Sequence, residues 1–182
     1  KSTFSEFKDK ITELQSSGMS KMIIDLRDNP GGVLDEACNM ADMILPEGII
    51  TYTETKSGKR TDYNSDAESL DIPIVILINE NSASASEVFT GALKDYGKAT
   101  VVGKKSYGKG IVQSVLPFYD GSGMSLTVAK YYTPNGTCIH GIGIEPDVEV
   151  DMPDEYKDMY ASMVEHDKDT QLQKAIEIIK EK

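Results

Sequence analysis

The sequence contains few of the residues that build disulfide scaffolds and metal centres. It has only two cysteines, Cys38 and Cys138, and two histidines among 182 residues. Two cysteines do not identify a pairing, and a free buried thiol is the expectation for each. Cys138 and His140 lie close together, but two potential ligands do not make a metal site. We therefore expect neither a structural metal nor a cofactor.

Basic residues and long apolar runs are also scarce. The 19 lysines and arginines stand against 30 acidic residues, so the formal net charge is −11. This charge argues against a nucleic-acid partner and against electrostatic attachment to anionic lipid. No apolar run approaches the roughly 20 residues that a membrane span needs. The length and the 39% hydrophobic content are sufficient for one soluble domain with a buried core.

The clearest structural pattern lies in residues 74–95. Residues 74–78 form an apolar, β-branched run that predicts a buried strand, and a polar turn follows. Ser82-Ala83-Ser84-Ala85-Ser86-Glu87 then begins a predicted helix. Unpaired N–H groups at a helix N-terminus can stabilise the oxyanion of an acyl-transfer intermediate, which makes a serine here a candidate nucleophile. Ser84-x-x-Glu87 is also a capping box, so a purely structural role remains open.

The rest of the chain alternates between strand and helix patterns. We predict further helices at 34–45, 155–164 and 170–180, and further strands at 22–26, 49–55, 99–102, 111–119 and 124–133. Residues 139–150 are predicted to be extended, with Pro146 favouring an edge position. These elements predict an α/β domain with a mixed β-sheet and flanking helices.

An activated serine requires a base, and the sequence offers two kinds. His140 would allow a Ser-His-Asp triad, although nothing in the sequence positions it. Lys109 lies between two glycines and is the other candidate. A lysine that acts as a general base must lose its proton near neutral pH, which requires desolvation or a nearby cation. Lys104 and Lys105 are the candidate cations.

The same loop comes close to a phosphate-binding motif. Gly103-x-x-x-x-Gly108-Lys109 follows a strand, as a P-loop does. Gly110 stands where a serine or threonine would hold magnesium, and a strand rather than a helix is predicted next. Both departures argue against nucleotide binding.

Several motifs in a fixed order resemble a known family. They are IIDLRDNPGG at 23–32, SASASE at 82–87, GALKDYGKATVVG at 91–103, YGKGIVQ at 107–113, DGSGMSLTVAKYYTPNG at 120–136 and GIEPDVEV at 143–150. Together they resemble the carboxyl-terminal processing peptidases, or tail-specific proteases, which are Ser-Lys endopeptidases. The resemblance covers most of residues 1–150.

The resemblance implies a role for each motif residue. Ser84, the middle serine of SASAS, would be the nucleophile, and Lys109 would be the general base. Their separation, 109 − 84 = 25 residues, agrees with the family's spacing. Gln113 would assist the lysine by hydrogen bonding. The oxyanion hole would combine the N–H of Ala85 with that of a glycine, either Gly31 or Gly32.

The resemblance also implies an architecture and a setting. Residues 1–150 would form a crotonase/ClpP-like peptidase core, and 151–182 a C-terminal helical tail. The full-length protein is expected to carry a PDZ domain and a first strand before this core. It would lie outside the cytoplasm, in the periplasm or at the cell surface, with a membrane anchor. Its substrates would be proteins with apolar or disordered C-terminal tails; no cofactor would be needed, and the oligomeric state stays open.

A second function remains compatible with this scaffold. A catalytically silent module could use the same fold to hold apolar peptides or lipids. Ser84, Lys109 and Gln113 separate the two hypotheses, because a silent module has no need of all three. All three are present in this chain.

Overall fold

The computed structural model describes residues 2–182 as four helices, eight strands and two short 3-10 turns. The helices are α1 (Thr3–Ser16), α2 (Leu34–Asp42), α3 (Ala85–Asp95) and α4 (Thr170–Glu181). The strands are β1 (Met22–Asp25), β2 (Gly48–Thr55), β3 (Arg60–Ser65), β4 (Ile74–Ile78), β5 (Ala99–Gly103), β6 (Ile111–Pro117), β7 (Gly123–Tyr132) and β8 (Val148–Glu149).

The strands form two sheets of four strands each. One sheet is parallel, in the order β1-β4-β5-β8, and the other is antiparallel, in the order β3-β2-β7-β6. The predicted α/β class with flanking helices is confirmed. The parallel and antiparallel strands lie in separate sheets. The hairpins β2–β3 and β6–β7 pair with each other to form the antiparallel sheet, and the strands connected through helices pair in parallel.

Strand β4 lies inside the parallel sheet and is buried on both faces. Each of its five residues is at most 1% exposed. Ile74, Ile76 and Ile78 belong to the main core with α2 and α3, whereas Val75 and Leu77 pack with residues of α4. Side chains alternate across a strand, so a continuous apolar run is the pattern expected of a strand covered on both sides. The C-terminal helix is therefore a cover of the parallel sheet.

Two predicted elements are wrong. Residues 139–150 are not continuously extended, because Gly141 and Gly143 have positive φ values of 73° and 74° and reverse the chain before β8. Only β8 pairs, at the edge of the parallel sheet beside β5. The predicted helix at 155–164 is replaced by two 3-10 turns, Asp154–Tyr156 and Ala161–Met163. Within residues 2–182, no helix is both long enough and apolar enough to cross a membrane.

Candidate active site

Ser84 occupies a strained turn between β4 and α3. It is the N-cap residue of α3, and its φ of 57° and ψ of −118° place it in a region that residues with side chains rarely adopt. Buried Ser82 stabilises the turn: its hydroxyl donates to the Leu26 carbonyl at 2.7 Å and accepts from the Asn79 N–H at 3.0 Å. Such strain persists only where the surroundings enforce it, and it is concentrated at functional sites.

The glycine loop after β1 lies directly against this turn. A Cβ on Gly31 would stand 2.5 Å from the Ala83 carbonyl oxygen and 2.7 Å from the Ala85 nitrogen, so only glycine fits. The Asn29 carbonyl accepts from the Ala83 N–H at 3.0 Å, which fixes the loop to the turn. The predicted contact between the Gly-Gly loop and the helix N-terminus is therefore present.

The two candidate oxyanion glycines differ in their N–H groups. The Gly31 N–H already donates to the Asn29 side-chain oxygen at 2.9 Å. For Gly32 and Ala85, no acceptor of the N–H is found among residues 2–182, and a Cβ on Gly32 would meet only open space. Within this range the N–H groups of Gly32 and Ala85 are therefore not bonded to protein acceptors.

Glu87 links the serine turn to the lysine loop. Its side chain is 1% exposed and accepts four hydrogen bonds. One oxygen accepts from the Ser106 hydroxyl and the Gly108 N–H, both at 2.6 Å. The other accepts from the Ser84 and Lys109 N–H groups, both at 2.8 Å. One buried carboxylate therefore fixes the backbone of both predicted catalytic residues.

The spacing Ser84-x-x-Glu87 identifies Glu87 as the partner of Ser84 in a capping box. This spacing predicts the hydrogen bond to Ser84 but none of the other three. The bonds to residues 106–109 join parts of the chain about 20 positions apart. No sequence pattern marks Glu87 as a site residue beyond its place in the capping box. The capping and nucleophile interpretations of Ser84 turn out to be compatible, because the cap is part of what holds the serine.

The side chains of Lys109 and Gln113 lie on the exposed side of the site. Both are exposed, so the expected burial of the lysine is not present in the free chain. Among residues 2–182, no hydrogen bond joins the Lys109 ammonium to Ser84 or to Gln113, and no carboxylate pairs with it. Gln113 follows a register shift in the β6–β7 pairing, an irregularity that commonly re-aims side chains near active sites.

The neighbouring lysines do not act as the expected cations. Lys104 forms ion pairs with Glu149 at 2.6 Å and Asp151 at 3.0 Å. Lys105 forms one with Glu145 at 2.6 Å. Carboxylates compensate both charges, so neither lysine leaves uncompensated positive charge for Lys109. This expectation from the sequence is wrong, because the carboxylates come from a segment 40 to 47 residues further along the chain.

The competing motifs do not assemble a site. His140 and His166 are both exposed, and within the described part of the chain neither ring is hydrogen-bonded to Ser84. Strand β6 begins directly after Gly110. The helix that would complete a phosphate-binding loop is therefore missing from this position.

The two chain neighbours of Ser84 each line a cavity. A small one, about 70 Å³, lies beside Gly31 and Ala85 and is lined mainly by apolar residues, namely Leu26, Ala37, Met40 and Phe89. An open cleft of about 500 Å³ is lined by Ala83, Lys109, Tyr107, Pro30, Asp28, Asn81 and Tyr160. The residues directly before and after Ser84 thus line different cavities, Ala83 the larger cleft with the predicted base and Ala85 the small apolar pocket.

Asp28, which lines the cleft, is hydrogen-bonded to the segment that follows β8. One of its oxygens accepts from the Asn79 and Asn81 amides, both at 2.9 Å, and the other accepts from the Ala161 N–H at 2.8 Å. Burial alone would raise the pKa of this carboxyl. The hydrogen bonds from Asn81, Ala161 and Asn79, with the charge of Arg27, outweigh it and hold the pKa below its usual value.

Arg27 makes a second connection to the same segment. Its guanidinium donates to both oxygens of buried Asp169, at 2.9 and 2.7 Å, and to Gln171 at 3.1 Å. Asp169 in turn accepts from the Leu172 N–H and caps α4. The start of the glycine loop and the last helix are thus held by one buried ion pair. Asp169, the N-cap residue of α4, lies 142 positions from Arg27, and no local sequence pattern connects the two.

Comparison with known proteins identifies the family of this site. The sequence model of peptidase family S41 matches residues 1–150. A probable CtpA-like serine protease of Staphylococcus aureus is 49% identical over 156 residues, which cover 83% of this chain and 31% of that protein. The corresponding protein of Staphylococcus epidermidis is 46% identical over the same length, covering 83% of this chain and 32% of the relative.

Solved structures agree with the sequence comparison. The photosystem II D1 C-terminal processing protease superposes with a TM-score of 0.77 at 38% identity, covering 83% of this chain and 40% of that one. A putative S41 protease from Bacteroides fragilis has the same TM-score at 20% identity, covering 97% and 49%, and shows the fold alone. The chain spans about a third of the length of the curated relatives it matches. The suspected resemblance is confirmed: this chain belongs to peptidase family S41, whose matched members include C-terminal processing serine proteases.

Proposed function

We propose that this chain carries the catalytic site of a serine endopeptidase that works through a Ser-Lys dyad. Ser84 is the nucleophile, Lys109 the general base and Gln113 a hydrogen-bonding partner of the lysine. The observation that carries the proposal is the buried Glu87 carboxylate, which accepts from the Ser84 and Lys109 N–H groups at 2.8 Å each. A single group thus fixes the relative position of the two backbones, as a nucleophile and its base require.

The geometry supports a particular sequence of proton transfers. A neutral Lys109 amine takes the Ser84 hydroxyl proton while the oxygen attacks the scissile carbonyl. The N–H groups of Ala85 and Gly32 receive the developing oxyanion, because the Gly31 N–H is already bonded to Asn29. The lysine then gives its proton to the leaving amine, and water hydrolyses the acyl-enzyme. A bound peptide would cover the exposed lysine and exclude water from it.

The cavity beside the oxyanion loop supports a preference for small apolar residues. It measures about 70 Å³ and is lined by Leu26, Ala37, Met40 and Phe89. It borders Gly31 and Ala85, and therefore lies on the acyl side of the scissile bond in this proposal. Burial of a small apolar side chain there would favour cleavage in apolar, unstructured tails. A place outside the cytoplasm and action on C-terminal tails belong to the same proposal.

Cleavage of an unstructured peptide with an apolar C-terminus tests the dyad. We expect Ser84→Ala and Lys109→Ala each to lower kcat by at least about 10³-fold, in line with the loss of a nucleophile or base elsewhere. Lys105→Ala is the matched control, because it removes a lysine of the same loop that is paired with Glu145. Circular dichroism confirms equal folding of the variants.

A second readout separates chemistry from binding. A fluorophosphonate probe should label wild type at Ser84 and should label Ser84→Ala not at all. Activity that survives in both dyad variants would overturn the proposal. Peptide binding without cleavage or labelling would instead indicate the catalytically silent module.

A further inference from the structure

The C-terminal segment contributes to the cleft that contains Lys109. Tyr160 lines this cleft together with Tyr107 and Pro30, and residues Tyr160 and Tyr107 are 61% and 69% exposed. Tyr160 lies outside residues 1–150, to which the family model is matched. The cleft wall formed by Tyr160 is therefore supplied by a part of this chain that the family match does not describe.

Hydrogen bonds hold this segment in place at both ends. The Ala161 N–H, directly after Tyr160, donates to the Asp28 carboxylate at 2.8 Å. Asp169 pairs with both terminal nitrogens of Arg27, and it is 1% exposed. Two anchors eight residues apart fix the chain against the loop that carries Pro30. The Tyr160 ring is thus presented to the cleft by a supported backbone, although the ring itself is exposed.

The chemistry of the proposed reaction indicates which side of the scissile bond occupies the cleft. A general base that takes the serine proton must later return it to the leaving amine, so it has to lie on the leaving-group side. Lys109 lines the open cleft together with Ala83, whereas Gly31 and Ala85 line the small pocket. The residues that follow the scissile bond therefore enter the cleft bounded by Tyr107 and Tyr160.

We propose that Tyr160, with Tyr107, forms a subsite for apolar side chains on the leaving-group side of the scissile bond. This inference rests on the proposed peptidase function. Aromatic rings provide a large apolar contact area with few rotatable bonds, so an apolar residue buried between them gains contact at small entropic cost. Tyr160 is a specificity-determining residue in this role, because it contacts the substrate without taking part in proton transfer.

The first test measures binding of the leaving segment alone, which needs no catalysis. The probes are fluorescent peptides that begin with leucine or phenylalanine, compared with the same peptides beginning with glycine. We expect Tyr160→Ala to weaken binding of the apolar probes about five- to tenfold and to change glycine-probe binding by less than about twofold. Tyr160→Phe should retain wild-type binding. Tyr119→Ala is the matched control, since that tyrosine is fully exposed at the tip of the β6–β7 hairpin.

The second test uses cleavage of peptides varied at the first residue after the scissile bond. Tyr160→Ala should raise KM for leucine and phenylalanine at this position while kcat falls by less than about twofold. Fluorophosphonate labelling of Ser84 should be equal in wild type and Tyr160→Ala, because that probe has no peptide on the leaving side. Equal preference in wild type and Tyr160→Ala, or failure of wild type to bind the apolar probes, would overturn the subsite. Loss of the dyad assignment would show separately, as unchanged cleavage by Ser84→Ala.

Discussion

The part of the candidate site that contains Ser84 and the part that contains Lys109 differ in how deeply their supporting elements are buried. Ser84 follows β4, whose residues are at most 1% exposed, and begins a helix that is buried along most of its length. Lys109 follows a loop and precedes β6, from which the β6–β7 hairpin projects with exposed apolar residues, among them Val115, Leu116, Phe118, Met124 and Leu126. The proposed nucleophile therefore has a rigid, fully packed support, whereas the proposed base is fixed mainly through its own backbone.

This difference shows how a site can be preorganised when only one side of it is buried. Local stability depends on buried apolar contacts, and the hairpin has few of them. Glu87 compensates by bonding the lysine loop to the packed helix. The contrast predicts that changes near β4 affect folding, changes at Glu87 affect both halves, and changes in the hairpin have small effects on stability.

The largest expected difference compares the two supports directly. Ile76→Ala removes a fully buried side chain from β4 and should lower the free energy of unfolding by about 2–5 kcal/mol, through lost burial and a residual cavity. Leu126→Ala, at a position 46% exposed in β7, should change it by less than about 0.5 kcal/mol. Urea unfolding measures both. Equal losses would contradict the distinction between a packed and an exposed support.

Glu87→Gln should weaken the connection between the halves. A glutamine has one oxygen, so two of the four N–H and O–H donors would meet an NH₂ group in a buried place. We expect the free energy of unfolding to fall by about 2 kcal/mol or more and kcat to fall at least about tenfold, with a smaller change in KM. Glu145→Gln is the control, because Glu145 is exposed and its carboxylate pairs with Lys105. Full activity of Glu87→Gln would show that the lysine loop is held by other contacts.

Gly31→Ala tests the contact between the glycine loop and the serine turn. The new methyl group would collide with the Ala83 carbonyl, and φ of 84° adds strain, so the oxyanion donors should move. We expect kcat/KM to fall about 10²-fold, the effect of a displacement of about 1 Å. Gly58→Ala is matched for φ, at 82°, and has open space around its Cβ. It should lose stability while keeping activity; similar activity losses in both would point to general unfolding.

Gln113→Ala, in the exposed half of the site, should lower activity less than Gly31→Ala does. The Gln113 side chain is exposed, and no hydrogen bond joins it to Lys109 among residues 2–182, so the proposed hydrogen bond requires a rearrangement such as substrate binding. We expect kcat/KM to fall by less than about tenfold, roughly the value of one hydrogen bond, and stability to stay unchanged. Thr127→Ala, its cross-strand partner, is the control. A loss as large as that of Lys109→Ala would place Gln113 among the essential groups.

The smallest expected effect concerns pH. The pKa of the Asp28 carboxyl is lower in the folded chain than in the unfolded one, so the unfolded state binds its proton first as pH falls. The stability that Asp28 contributes is therefore complete above its unfolded pKa, about 3.9, and is lost as pH falls through the folded pKa. Between about pH 5 and pH 3, the melting temperature of Asp28→Asn should fall less steeply than that of wild type, because the variant lacks this titrating carboxyl. Parallel curves would contradict this role.

Local pattern was sufficient for most elements and for the position of Ser84. The apolar run 74–78 predicts a buried strand, and the helix that follows has an apolar face at helical spacing, so the serine falls at the junction whatever the rest of the chain does. The same reasoning failed for residues 139–150 and 155–164. There the chain direction depends on turn glycines and on contacts such as that of Ala161 with Asp28.

Long-range contacts explain what the sequence analysis missed. Ion pairs of Lys104 and Lys105 with carboxylates from 145–151 involve surface charges that no pattern connects. The Arg27–Asp169 pair and the cover of β4 by α4 join opposite ends of the chain. Hydrogen bonds and ion pairs act over a few ångströms, so partners distant in sequence are known only once the backbone is placed.

By itself, the sequence determined the α/β class and the family motifs, because these follow from local periodicity and motif order. The family resemblance then gave Ser84, Lys109 and Gln113 as the predicted site residues. Only the tertiary structure decided that the strands divide into two sheets, that Glu87 bonds both halves of the site, and that Tyr160 borders the cleft. The physical reason is that a buried carboxylate must satisfy its oxygens with whatever donors the fold brings within about 3 Å. Those donors come from separate segments, and packing of the core selects them.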